Sequence, residues 1–475
     1  MQHVTSSAPQ APFPGVAGRS APRHHVRPAA GNWCNDPNGP LYHDGRYHLF
    51  FQHNPNSPVW GDIHWGHASS PDLVRWTDHG VALEPSPGLP DRFGAWSGCA
   101  VVEDGVPTAV YTGMNRHDGL GTVMLARAAD PALSRFDALS RPVVDGPPPG
   151  LDLLAFRDPY VFTHEGRRWA LLGAGHRGAG LRPDVLVYRI GAGVLDEPWE
   201  WAGSLLDADD PVTARHAMPA AAWECPALIP AGAGRWLLVL SLWIDDVTYT
   251  STYLTGTLRA SGGGLRFEPD GGGGLLDHGR DFYAPTALVE RDRTLMWGWS
   301  WESRTEAESV AAGWAGCLSY PRELGLHPDG TLRHAFAREL AALRGRELTP
   351  CGQLPPAYEI QVDLRVQRPD AEVTVHLGSG IDVRLNPTRG TLTLDRTGAP
   401  ATATHPYRRA GTVTGTGRTG SRGRLRILVD GPLIEIIWDE RVALTEKVYP
   451  APRGQWAVAH SPTSADIEVT AWEHG

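Results

Sequence analysis

Short apolar runs, not long periodic ones, set the pattern of this chain. From about Arg27 to about Leu332 they recur between Gly, Pro, Asp and Asn, as at Tyr47 to Gln52, Ala109 to Thr112, Trp169 to Leu172, Val185 to Tyr188, Trp236 to Ser241 and Thr294 to Trp299. Runs of this length, with no helical pattern of roughly ten residues between them, predict strands joined by turns and argue against a βαβ design. An all-β propeller or a large sandwich satisfies the pattern, and no clean internal repeat chooses between them. Around Phe336 to Leu343 the spacing turns helical, with Phe336, Leu340 and Leu343 on one face, and Gly345 and Pro355-Pro356 then mark a linker. Beyond it, period-2 alternation returns in Ile360/Val362/Leu364/Val366, Val373/Val375/Leu377, Leu392/Leu394 and Leu425/Ile427/Val429. That is the pattern of half-buried antiparallel strands in a compact β-sandwich. The expected organisation is a disordered Pro/Ala/Ser/His tail over 1–26, a β-domain over 27–335, a linker over 336–356 and a β-sandwich over 357–475.

Composition narrows the function. The 475 residues include 18 Trp, 55 Gly and 41 Pro, with only 20% charged, which suits many short strands and leaves indoles to stack on sugar faces. A net charge of -10 without Lys/Arg runs argues against nucleic acid and anionic membrane surfaces, and favours a small neutral substrate. No apolar run approaches the ~18 residues of a membrane span, and the first residues lack the apolar core of a secretory signal. Cys34, Cys99, Cys225, Cys317 and Cys351 form neither a C-x-x-C pair nor a disulfide framework, so reduced thiols in a cytoplasmic protein are expected. The histidines show no H-E-x-x-H and no ligand-spaced cluster, so neither a metal nor another cofactor is expected. Nothing in the chain bears on oligomeric state.

Three acid-bearing segments carry the chemistry: Trp33-Cys34-Asn35-Asp36-Pro37-Asn38-Gly39, Phe156-Arg157-Asp158-Pro159 and Trp223-Glu224-Cys225-Pro226. Each places a carboxylate beside or near a proline, as a sugar-cleaving site assembled from separate loops would require. Singly, Asp36 and Asp158 read as turn residues. Together, in this order and with these flanks, the segments resemble the signatures of glycoside hydrolase family 32, the β-fructofuranosidases. The resemblance extends over nearly the whole chain from Arg27. It includes Phe51-Gln52-His53-Asn54-Pro55, Trp60, Trp65-Gly66-His67, Trp96-Ser97-Gly98, Asp281-Phe282-Tyr283-Ala284-Pro285 and Trp314 through Ser319-Tyr320-Pro321-Arg322-Glu323-Leu324.

What the resemblance implies is a five-bladed β-propeller followed by a C-terminal β-sandwich, cleaving terminal β-D-fructofuranosides with retention. Asp36 would be the nucleophile, Glu224 the general acid/base and Asp158 the transition-state stabiliser. Asn35, Gln52, Trp60, Trp65, Trp96, Ser97, Arg157 and Tyr283 would contact substrate. Trp297, Trp299 and Trp301 alternate and so share a face that could border the site. Cys34 and Cys99 depart from the usual family residues, and Val429 to Ile436 lacks the serine of the family's C-terminal strand pair. Gly173-Ala174-Gly175-His176-Arg177-Gly178 fits a dinucleotide-binding pattern, but Ala179, Gly180 and Pro183 follow where a helix would be needed, so a hairpin is expected. The expected activity is hydrolysis of sucrose or short fructans. The rivals are fructosyl transfer by the same residues, a related five-bladed arabinofuranosidase and an inactive carbohydrate-binding homologue.

Overall fold

The computed structural model describes residues 21–191, 194–368, 371–397, 412–417, 419, 422–460 and 465–475. Most of the tail expected over 1–26 lies outside these residues. Five antiparallel sheets follow one another along the first part of the chain. They open with Asn32–His43, Ala95–Glu103, Leu153–His164, Ala222–Pro230 and Tyr283–Val289. Each opening strand packs against the next sheet's, and the fifth packs back on the first. A short strand, Trp314–Ala315, runs parallel to Asn32 and Trp33 and so ties the end of the array to its start.

Hairpins with left-handed turn residues build the sheets. Asp44-Gly45 and Asp104-Gly105 both have positive φ at each central position, the two-residue turn whose twist matches the strands it joins. The apolar residues meet between neighbouring sheets. Leu41, Phe50 and Trp65 pack with Ala109 and Tyr111; Val110 and Leu125 with Leu172 and Leu186; Leu171 and Val187 with Leu238 and Leu240. A continuous apolar run such as Trp236 to Leu240 is thereby covered on both faces, Leu238 and Leu240 in one core and Leu237 and Val239 in the next. Gly173 and Gly175 lie on the strand Arg167–His176, where a side chain would collide with the carbonyls of Trp223 and Ala221. The dinucleotide-like pattern is therefore a strand running into a hairpin, and its glycines admit the segment that carries Glu224.

Two further sheets form the C-terminal part. One is ordered Arg344–Glu347, Ala465–His474, Ala357–Val366, Arg422–Asp430, Leu433–Trp438, Val442–Lys447; the other comprises Thr412–Thr416, Thr391–Asp395, Asp382–Asn386, Val373–His376 and Ala457–His460. The alternating residues read from the sequence, among them Ile360, Val362, Val375, Leu392 and Ile427, face one another in a single core.

Three expectations change. The helical spacing at Phe336 resolves into the end of a strand, Leu332–Phe336, followed by a 3-10 helix over Arg338–Leu343. The expected linker is partly sheet, since Arg344–Glu347 pairs with Ala465–His474. Residues 21–26 are not part of a loose tail. His25 is buried, with Nδ1 2.8 Å from Asp430 Oδ2 and Nε2 3.0 Å from Glu435 Oε1, and the amides of Arg23 and His24 also donate to Asp430.

The His25 contact sits on a seam of buried charge between the two parts. Arg322 bridges Asp277 at 2.7 Å and Glu435 at 2.6 Å, and Arg280 pairs with the buried Glu446. Burial opposes the charge on His25, but Asp430 and Glu435 outweigh it and raise its pKa; burial likewise opposes the Asp430 anion, but His25 brings it down to about 2. His25→Ala should leave two buried carboxylates short of a partner and cost about 3–5 kcal/mol in urea unfolding. The His25 contribution should be complete below the ordinary histidine range and fade as pH rises through its raised value. The Asp430 contribution should be complete above the ordinary aspartate range and fade as pH falls towards about 2.

Candidate active site

The opening strand of every one of the five sheets breaks register at the same place. Two residues, Asn35 and Asp36, stand opposite Gln52; Ser97 is the extra residue between Trp96 and Gly98; Asp158-Pro159 stands opposite Leu172, Cys225-Pro226 opposite Leu240, and Ala284-Pro285 opposite Gly298. A bulge re-aims side chains out of the ladder, and proline is tolerated there because no ladder hydrogen bond is asked of it. Asp158, Cys225 and Ala284 all take positive φ, at 64°, 46° and 48°. This repeat escapes a search for sequence periodicity because only the proline recurs visibly, in Asp36-Pro37, Asp158-Pro159, Cys225-Pro226 and Ala284-Pro285.

The bulges bring the three acids to one pocket of about 970 Å³. Asp36, Asp158 and Gln52 lie nearly buried in it. Gln52 Nε2 donates to Asp36 Oδ2 at 3.0 Å, Ser97 Oγ donates to the same oxygen at 2.6 Å, and Cys225 Sγ lies 3.7 Å from it. All these contacts fall on Oδ2, which leaves Oδ1 available to the pocket. Glu224 is clamped on both oxygens: Arg157 Nε and Nη2 reach Oε1 at 2.9 and 2.8 Å, and Tyr283 OH donates to Oε2 at 2.6 Å. Asp158 accepts from the Cys225 amide at 3.0 Å, while its own amide donates to Thr112 Oγ1.

Three carboxylates around one guanidinium are an electrostatically crowded set. Burial, opposed by the Ser97 hydrogen bond and reinforced by the charges of Asp158 and Glu224, pushes Asp36 up to about 8. Burial and the Glu224 charge, against the pull of Arg157, raise Asp158 to about 6. The set therefore holds a proton above the ordinary carboxylate range.

Asn35, Gln52, Trp60, Trp96, Arg157 and Tyr283, expected to contact substrate, all line the pocket. Trp65 does not. It is buried among Phe50 and Tyr111, and its Nε1 donates to the Trp96 carbonyl at 3.0 Å, so it supports a wall it does not form. Ser97 lies behind Asp36 and is oriented towards it. Of the alternating tryptophans, Trp299 and Trp301 reach the pocket while Trp297 packs in the core against Trp76. Trp33, Trp243 and Glu302 also line the walls. Trp243 is not distinguished in the sequence because it stands in a largely apolar strand, and Glu302 because it lies just beyond the strand Thr294–Ser300 with no motif of its own.

Known proteins resemble the chain over nearly the whole of its length. Residues 25–335 match the glycosyl hydrolases family 32 N-terminal domain and residues 342–473 the family 32 C-terminal region. The chain belongs to glycosyl hydrolase family 32. It is 33% identical to raffinose invertase of Escherichia coli over 454 residues, covering 90% of this chain and 89% of the relative. It is 31% identical to sucrose-6-phosphate hydrolase of Escherichia coli, covering 91% and 90%. Among solved structures, sucrose-6-phosphate hydrolase from Lactobacillus gasseri superposes with a TM-score of 0.81 at 25% identity, over 97% of this chain and 94% of that one. A mutant of the Bombyx mori family 32 β-fructofuranosidase in complex with sucrose gives 0.74 at 25% identity, over 96% and 94%. Those neighbours carry a propeller plus β-sandwich fold.

The Ser97 contact yields a pH test. A hydrogen bond to a carboxylate is worth about 1.5–3 kcal/mol and favours the anion. If activity needs ionised Asp36, its acid limb should lie above the ordinary carboxylate range. Ser97→Ala should move that limb upward by about one pH unit or more in kcat/KM profiles. An unmoved limb would show that Asp36 does not set it.

Proposed function

We propose that this chain is a retaining β-fructofuranosidase in which Asp36 is the nucleophile, Glu224 the general acid/base and Asp158 the stabiliser of positive charge on the fructosyl ring. The observation that carries the reading is the pairing of Asp36, whose hydrogen bonds leave Oδ1 available, with Glu224, which Arg157 and Tyr283 hold in the same pocket. The five bulged strands are read as the inner strands of five propeller blades over 27–335, followed by the linker and the sandwich. The substrate is a terminal β-fructoside such as sucrose or a short fructan, the sugar class named for the relatives.

The chemistry follows in two inversions. Asp36 Oδ1 attacks the fructosyl anomeric carbon while Glu224 gives its proton to the departing oxygen, and an ester bond to Asp36 replaces the glycosidic bond. Glu224 then takes a proton from water, which attacks the same carbon, breaks the ester and returns Asp36 as an anion. Asp158 hydrogen-bonds ring hydroxyls more strongly as positive charge grows on the ring. Arg157 orients Glu224 and, with Gln52 and Asn35, presents polar groups to the sugar; the buried Asn35 Oδ1 has no partner within the described residues.

A cytoplasmic setting is part of the proposal. All five cysteines are free thiols, three of them buried, and none of the described helices is long and apolar enough to cross a membrane.

Asp36→Asn should lower kcat on the order of 10⁴ or more without loss of folding, read by sucrose hydrolysis alongside circular dichroism. Near-native turnover by the folded variant would end the nucleophile assignment. Glu224→Gln should cost about 10² to 10⁴ on sucrose, and far less on a fructoside whose leaving group departs unprotonated. Equal losses on both substrates would assign the proton donor elsewhere.

A further inference from the structure

Depth sorts the charges of the pocket. Asp36 and Asp158 are buried, whereas Trp60, Arg177, Asp246 and Glu306 are exposed around the mouth. A sugar whose fructosyl ring reaches the buried acids therefore directs its leaving group towards that mouth. Asp246 stands at the hairpin tip between Trp236–Ile244 and Val247–Ser261, and Glu306 opens the helix Glu306–Ala312. Neither has a cationic partner among the described residues. Glu302 adds a third acid deeper in the wall; burial works against its charge, but Lys447 and Arg304 hold it down at about 2, so it is ionised.

Two of the three arginines that line the pocket are held by acids within it. Arg157 is held by Glu224. Arg304 pairs with Glu302 at 2.9 Å and lies over Trp314 and Tyr449. Arg177 donates to the Leu153 carbonyl at 3.0 Å and stands 3.7 Å from Asp152. A phosphate carries a charge of about -1.5 to -2 near neutral pH, and unpaired acids on its path repel it.

We infer that the mouth selects an uncharged leaving group over a phosphorylated one, with Asp246 and Glu306 as specificity-determining residues. This rests on the proposed function, and separates the unphosphorylated from the phosphorylated substrate class named among the relatives.

The test compares kcat/KM for sucrose and for sucrose phosphorylated on C6 of its glucosyl ring. The wild-type protein should favour sucrose by about tenfold or more at low ionic strength, with the gap narrowing as salt is added. The Asp246→Asn, Glu306→Gln double variant should raise kcat/KM on the phosphorylated sugar several-fold relative to sucrose. Equal or faster turnover of the phosphorylated sugar by wild type overturns the inference. So does a folded double variant with an unchanged preference, which would remove both residues from specificity. Failure of the folded wild-type protein on both sugars would contradict the proposed function itself, and the inference would fall with it.

Discussion

The site depends on one backbone device, an extra residue in the opening strand of each sheet. A regular ladder would send alternate side chains into the packing between sheets, where a carboxylate has no place. The bulges at Asp36, Asp158 and Cys225 interrupt that alternation where the opening strands approach one another, so acids on separate strands reach one pocket. The other two bulges serve the same end. One gives Ser97 its bond to Asp36, and the other follows Tyr283, which holds Glu224. Thr112 couples two of the bulges directly, since its hydroxyl accepts from the Asp158 amide and donates to the Ser97 carbonyl.

The C-terminal sandwich contributes to the same geometry from outside. Its strand Val442–Lys447 is hydrogen-bonded to the segment that enters the fifth sheet: the amides of His278 and Asp281 donate to Ala443 and Thr445 carbonyls, and the Lys447 amide to Asp281 Oδ2 at 2.6 Å. Lys447 Nζ, fully buried, donates to the Ser300 carbonyl at 2.8 Å, between Trp299 and Trp301. Two walls of the pocket, Tyr283 on one strand and Trp299 and Trp301 at the end of the next, are thus tied to the sandwich. Buried charges of this kind cost desolvation and tolerate little displacement once paired. They fix how the two parts meet more than they add to stability.

Much of this was legible in the sequence because it is carried by local chemistry. The three acid segments, Gln52, Arg157 and Tyr283 stand in recognisable motifs, and the sandwich announces itself through strict alternation from Ile360 onward. What escaped depends on contacts distant in sequence. Nothing near Trp65 distinguishes a supporting indole from a lining one; the difference lies in Phe50, Tyr111 and the Trp96 carbonyl around it. His25 looks like part of a polar tail until Asp430 and Glu435, some four hundred residues away, are placed against it. The repeat of bulges is invisible as periodicity because its five residues, Asp36, Ser97, Asp158, Cys225 and Ala284, share a place in the strand but not one residue type.

The central claim is that the bulge at Asp36 presents a nucleophile. The most direct measurement is to trap the glycosyl ester with an activated fluorinated fructosyl analogue, digest the labelled protein and locate the added mass by peptide mass spectrometry. The account predicts a single label on the peptide containing Asp36, absent from the folded Asp36→Asn variant. A label on Asp158 or Glu224, or release of the first product with inverted configuration and no label at all, would contradict it.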